Sequence, residues 1–183
     1  RVAEPSWIRP GIAAWSWFSQ YTGGPDLQRE YIAFAAEMGW EHVLIDEGWD
    51  RWSESDTVVP ALIEEAAAEG VGIFLWYNSG GEHNLNPGTP RDQMGDPELR
   101  DEAMAKISGW GAAGIKVDFF ESDKQDRIQQ YLGIAADAAA HELMVNFHGA
   151  TLPRGWSRTY PNIVTHEAVH GAEYYETPIE GPR

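Results

Sequence analysis

The feature that most limits how this chain can fold is a recurrence: a short apolar run, a polar end, then a stretch with helical spacing, repeated along the sequence. Residues 11–17, 42–45, 71–77, 114–120, 143–147 and 162–165 read as strands. Helices are predicted over residues 26–38, 60–69, 96–108 and 124–141. Asp26 and Asp96 suit N-caps, Gly39 and Gly70 suit helix ends, and Pro60 and Pro97 suit first turns. In the first of these helices Leu27, Tyr31, Phe34, Ala35 and Met38 follow the helical period.

Strands alternating with helices at this pitch predict a parallel sheet with crossover helices. An open doubly wound sheet and a (β/α)8 TIM-type barrel both fit. The barrel is preferred because polar residues cluster at the C-terminal ends of nearly every strand, whereas an open sheet concentrates its site at one switch point. A closed barrel takes eight strands and about 250 residues. The 183 residues here are therefore expected to form a partial barrel of about six βα units. The missing units would lie on another chain or in a longer protein, and the absence of an initiator Met at Arg1 suits the second expectation. Open edges would then favour self-association or a complementing chain.

Within this pattern the stretch Gly-Ile-Lys-Val-Asp-Phe-Phe at 114–120 stands out. Residues i and i+2 of a strand share a face, so Lys116 and Asp118 should project together while Ile115, Val117 and Phe119 make the other face apolar. The charges would then face the inside of the barrel, where a charge needs a partner. A structural ion pair and an active-site carboxylate at a strand's C-terminal end both meet that need.

Composition removes several alternatives. With 13 Lys and Arg against 29 Asp and Glu the net charge is −16, a field that repels phosphate backbones, so no nucleic-acid partner is expected. There is no cysteine, hence no disulfide, thiolate metal site or Cys nucleophile. No apolar run approaches the roughly 18 residues of a transmembrane helix, and no membrane partner is expected. His141-Glu142 lacks the second His of a zinc helix, since Val145 stands there. No Gly-x-Ser-x-Gly elbow or Gly-rich phosphate loop precedes a helix.

The strand ends collect Trp15, Trp17, Asp46, Glu47, Trp49, Trp76, Asn78, Lys116, Asp118, Asn146, His148, His166, Glu167 and Glu173. Carboxylates and amides beside large aromatics suit a sugar, whose hydroxyls take bidentate partners while its C–H faces stack on rings. Glycoside hydrolysis further needs one carboxylate at the anomeric carbon and one carboxylic acid at the leaving oxygen. Of Asp46 and Glu47, which face opposite sides of a regular strand, Asp46 is expected inward and Glu47 at the rim.

Taken together, Gly-Ile-Lys-Val-Asp-Phe, Asp-Glu-Gly-Trp, Leu-Trp-Tyr-Asn, Asn-Phe-His-Gly-Ala, Arg-Thr-Tyr-Pro-Asn and the run from Glu167 to Glu173 resemble the catalytic barrel of glycoside hydrolase family 97, in matching order over nearly the whole chain. The resemblance implies an α-galactosidase or α-glucosidase with calcium near its site, whose N- and C-terminal β-sandwich domains are absent from this chain. It implies a bacterial periplasmic or secreted location. Asp118 matches the nucleophile of the retaining branch, which is mainly α-galactosidases. Inverting members use a Glu base where this chain has Gly149.

Resemblance therefore implies retention, with Asp118 as nucleophile, Glu173 as general acid/base, and Glu167 as a calcium ligand. Asp46, Glu47, Trp49, Asn78, Lys116 and His148 are the expected substrate-binding residues. An α-glucosidase, or a non-catalytic carbohydrate-binding fragment of a split barrel, are the alternatives.

Overall fold

The computed structural model describes residue 2 and residues 4–171. Its elements, in order, are β1 (Ala13–Trp15), α1 (Trp17–Gln20), α2 (Pro25–Met38), β2 (His42–Ile45), α3 (Ser55–Ala68), β3 (Gly72–Asn78), α4 (Pro97–Gly109), β4 (Gly114–Asp118), α5 (Gln125–Ala140), β5 (Met144–Phe147) and β6 (Ile163–His166). The strands form one parallel six-stranded sheet in chain order, β1 to β6. Such an order is a partial barrel, in keeping with the six units read from the sequence. Among the described residues, β1 and β6 each pair on one side only.

Two apolar layers result from the strand alternation. Outward residues such as Ile45, Leu75, Ile115, Val117 and Val145 are fully buried against helix residues Leu62, Ile107 and Ile134. Each such side chain contributes about 1.5–3 kcal/mol relative to an exposed one. Inside the sheet, Leu44, Phe74 and Met144 form a second cluster with Trp7 and Trp15 packed on it. Gly114 sits between these last two strands' side chains: a Cβ there would fall 2.5 Å from the Phe74 ring and from the Met144 carbonyl. The inward positions one step further along, Trp76, Lys116 and Asn146, lie level with one another across three strands. That step is where the interior turns polar.

Several boundaries differ from expectation for physical reasons. The first strand stops at Trp15, and Trp17 opens the short helix α1 instead of ending the strand. In α2, Gly24 caps the helix, Pro25 takes the first turn and Asp26 pairs with Arg29 at 3.0 Å. Helix α3 begins five residues before Pro60, which lies inside it; the backbone bond that a proline forfeits is offset by burial of Val59, Leu62 and Ile63. Asp96 does cap α4, accepting from the backbone N–H groups of Glu98 and Leu99. Phe119 departs most from the alternation. Its φ of 62° ends β4 and reverses the parity, so Phe120 enters the outer core, stacked on Tyr131 at 3.9 Å, while Phe119 turns into the site.

Candidate active site

The polar step of the interior is built around one cation. Lys116, on β4, is 2% exposed, and its Nζ donates to Asp46 Oδ2 at 2.9 Å and lies 3.3 Å from Asp118 Oδ2. Asp46 follows β2 and Asp118 closes β4, so the ammonium bridges carboxylates from two elements. The same Nζ stands 4.4 Å from the Trp15 ring centroid, and the Trp15 indole N–H donates to Asp46 Oδ2 at 2.8 Å. Isolated buried charges would cost several kcal/mol each; here each is paired and hydrogen-bonded.

Asp118 is the most heavily supported group. It is 4% exposed and accepts from the Trp76 indole N–H at 3.1 Å and from the Phe119 backbone N–H at 2.8 Å. Nδ1 of His148, at the end of β5, approaches it at 3.2 Å. Burial pushes the Asp118 carboxyl up, but Lys116, His148 and Trp76 together outweigh burial and hold it well below the ordinary carboxylate range. Burial likewise pulls the Lys116 ammonium down, and Asp118 and Asp46 more than compensate, so it stays protonated. Asp118 is thus an ionised, fixed carboxylate with one face on a pocket.

That pocket is lined by Trp17, Asp46, Glu47, Trp76, Asn86, Lys116, Asp118 and Phe119. Glu47 is half-buried at its wall, and burial together with the neighbouring Asp46 raises its pKa, so its proton is held more tightly than that of a solvated Glu. Asp46, which is buried, and the half-buried Glu47 both line this pocket instead of facing opposite sides as on a regular strand.

Two expected substrate contacts have other roles. Trp49 is 3% exposed and packs in the outer core edge-on to Tyr77 and Trp110, with its indole N–H given to the Trp76 carbonyl at 2.8 Å. Gly48, with φ 85°, starts the tight turn that carries it to the helix side. Asn78 is fully buried, and all four of its hydrogen-bonding positions are used: it donates to the Asn86 and Gly88 carbonyls and accepts from Gly80 N–H and the Asn84 amide. It shapes the loop that brings Asn86 to the pocket. Sequence reasoning missed Asn86 and Phe119, the first because a Gly- and Asn-rich loop carries no periodic signal, the second because its backbone leaves the strand.

Glu167, just past β6, accepts the Gly149 N–H at 3.0 Å and lies 3.3 Å from His148 Nδ1. It is half-buried and tied to the β5 end. His148 therefore stands between Glu167 and Asp118, within reach of both carboxylates. Among the described residues no cluster of three or more His, Asp or Glu is disposed to hold a metal. Calcium takes six to eight oxygen ligands, and Glu167 is a single carboxylate that already accepts from the Gly149 N–H. The expected acid/base Glu173 lies outside the described residues.

A parallel α/β barrel wall with its polar groups gathered at the C-terminal strand ends places them where TIM-barrel enzymes keep their active sites. A family model described as glycoside hydrolase 97 matches residues 7–169, and the chain belongs to that family. It is 37% identical over 188 residues to a probable retaining alpha-galactosidase of Streptomyces bingchenggensis, covering 94% of this chain and 27% of that protein. It is 31% identical over 189 residues to a retaining alpha-galactosidase of Bacteroides thetaiotaomicron, covering 94% of this chain and 26% of that protein. Among solved structures, a beta-arabinopyranosidase superposes with a TM-score of 0.85 at 41% identity, over 92% of this chain and 27% of that one. The chain thus spans about a quarter of the length of these relatives.

Proposed function

We propose that this chain is the catalytic portion of a retaining exo-glycosidase acting on sugars with the galacto arrangement of ring hydroxyls. The observation that carries the reading is Asp118 itself: a buried, ionised carboxylate aimed at a pocket, with its charge fixed by Lys116 and its oxygens positioned by Trp76 and Phe119. In the first step an oxygen of Asp118 bonds to the anomeric carbon as the glycosidic bond breaks, and Glu173 gives its proton to the leaving oxygen. In the second, Glu173 takes a proton from water, which attacks the anomeric carbon and frees Asp118. Lys116 is Asp118's counter-ion in the free site, and in this reading Lys116 and Asp46 bind glycone hydroxyls.

Both relatives named as alpha-galactosidases and the one named as a beta-arabinopyranosidase support this substrate class. A β-L-arabinopyranoside presents its ring hydroxyls as an α-D-galactoside does and lacks only the C6 hydroxymethyl group. Calcium belongs to the reading through Glu167, where a bound ion would fix carboxylates by direct coordination. Closure of the barrel by further strands on β1 and β6, from the rest of the protein or another chain, belongs to it as well.

The test is hydrolysis of aryl α-galactoside, aryl β-L-arabinopyranoside and aryl α-glucoside by the full-length protein, with calcium and with chelator, following the first-formed anomer by NMR. The expected result is α-galactose first, activity lost in Asp118→Ala, and β-galactosyl azide formed when azide is added. β-Galactose as first product would overturn retention. Preference for the glucoside would favour the α-glucosidase, and sugar binding without turnover the non-catalytic alternative.

A further inference from the structure

We propose that Tyr21, with the ring of Trp17, forms an aromatic platform for the sugar ring of the leaving group; this rests on the glycosidase reading above. Trp17 lines the carboxylate pocket beside Lys116 and Asp118. Tyr21 meets it edge-on, with ring centroids 5.3 Å apart and planes at 84°. The two rings lead from the pocket out to solvent, since Trp17 is half-buried and Tyr21 is 71% exposed.

An exposed aromatic on a slack loop would mean little. Tyr21 is not on one. Its φ of 56° lies in the left-handed region, which a bulky side chain adopts only when its surroundings impose it. Here they do. The Ser16 hydroxyl donates to the Tyr21 carbonyl at 2.6 Å, and the Tyr21 N–H bonds the Trp17 carbonyl at 3.1 Å. The Gln28 amide, buried in α2, donates to Ser16 Oγ at 3.2 Å and to the Thr22 carbonyl at 2.6 Å. The Thr22 hydroxyl in turn donates to the Glu47 carbonyl at 2.7 Å, tying the turn to the pocket wall. Ser16, Thr22 and Gln28 are all buried.

A buried polar network thus holds the backbone on both sides of Tyr21 while the ring stays outside. The edge contact with Trp17 leaves most of that ring in solvent, open to a ligand. Trp17 belongs to the pocket and touches Tyr21, so a glycone at Asp118 would lead its leaving group onto this pair. A pyranose offers the rings its C–H face, the contact aromatic side chains make with sugars.

The test uses full-length protein carrying Asp118→Asn, so that bound sugar is not turned over. Galactose and galactosyl-α-1,6-glucose are titrated by calorimetry, with Tyr21 and with Tyr21→Gly; glycine accepts the positive φ, so the backbone turn survives loss of the ring. The disaccharide's affinity advantage over galactose is expected to shrink about fivefold in Tyr21→Gly and to persist in Tyr21→Phe. An advantage equal in Tyr21 and Tyr21→Gly proteins overturns the platform, as does the absence of any advantage in the parent. Failure of either sugar to bind the parent overturns the galactoside reading, and the platform with it.

Discussion

A Cβ built on Gly149 would stand 3.2 Å from Oδ1 of Asp118. The backbone after β5 closes directly on the candidate nucleophile, and Gly149 adopts a φ of 50° there. A side chain at 149 and a carboxylate at 118 compete for the same space. The resemblance places a Glu at this position only in members that lack the strand-four Asp, and this contact supplies a steric reason for that exclusion. Gly149→Ala is expected to displace Asp118 by a few tenths of an ångström and to add left-handed strain of about 1 kcal/mol. Misplacement on that scale should lower kcat about tenfold, with a smaller change in KM. Steady-state kinetics on an aryl α-galactoside, beside a thermal melt, separates the two effects; an unchanged kcat would count against the contact.

Lys116 separates two buried carboxylates, and its removal leaves both uncompensated. Lys116→Met should cost about 3–5 kcal/mol of stability at neutral pH. The sign with pH follows from the shifts. Asp118, depressed in the folded protein, contributes stability above its unfolded pKa of about 3.9, lost as pH falls through its folded value. Lys116, raised when folded, contributes fully below about 10.4, and that contribution is lost as pH rises through its folded value. Without Lys116, burial of Asp118 is opposed only by its contacts with His148 and Trp76, and its pKa rises. The variant's deficit in melting temperature should therefore be larger at pH 8 than at pH 4.5, and the acid limb of its pH–rate profile should move to higher pH. A deficit independent of pH would show that the ammonium acts by packing alone.

Trp49 belongs to the core, so Trp49→Leu should destabilise the protein by about 3 kcal/mol, through lost ring contacts and an orphaned Trp76 carbonyl. Denaturant melts report that loss. KM for an aryl glycoside, measured well below the melting temperature, should stay within about twofold. A tenfold rise in KM would return Trp49 to the sugar site.

How far the sequence could be read depended on which signals are local. The period-2 and period-3.6 patterns made the six strands and the connecting helices legible, and the i, i+2 rule placed Lys116 and Asp118 on one face. Alternation alone left Asp46 and Glu47 as rivals for the inward position. Failure came where a single backbone torsion breaks the alternation: at Phe119, whose positive φ swaps it with Phe120, and at Gly48, whose turn sends Trp49 outward. Asn78 was misread for another reason. An inward amide at a strand end looks alike whether its partner is a sugar or a loop, and only the course of residues 79–92 decides between them.

That distinction at Asn78 is measurable. A substrate contact removed by Asn78→Ala would raise KM or lower kcat while leaving the melting temperature nearly unchanged. The structure predicts the reverse order of effects. Two donors and two acceptor contacts disappear at a fully buried position, orphaning the Gly88 carbonyl and the Gly80 N–H, while the Asn86 carbonyl keeps the Arg91 guanidinium. At about 1 kcal/mol for each bond lost, and more for each group left without a partner, the cost is about 4 kcal/mol. Loosening of the loop that carries Asn86 would reach the pocket only secondarily, as a rise in KM of several-fold. Hydrogen exchange should show the gain in mobility confined first to residues 79–92. Native-like melting with a large loss of activity would instead make Asn78 a direct sugar ligand and would require its loop to open on binding.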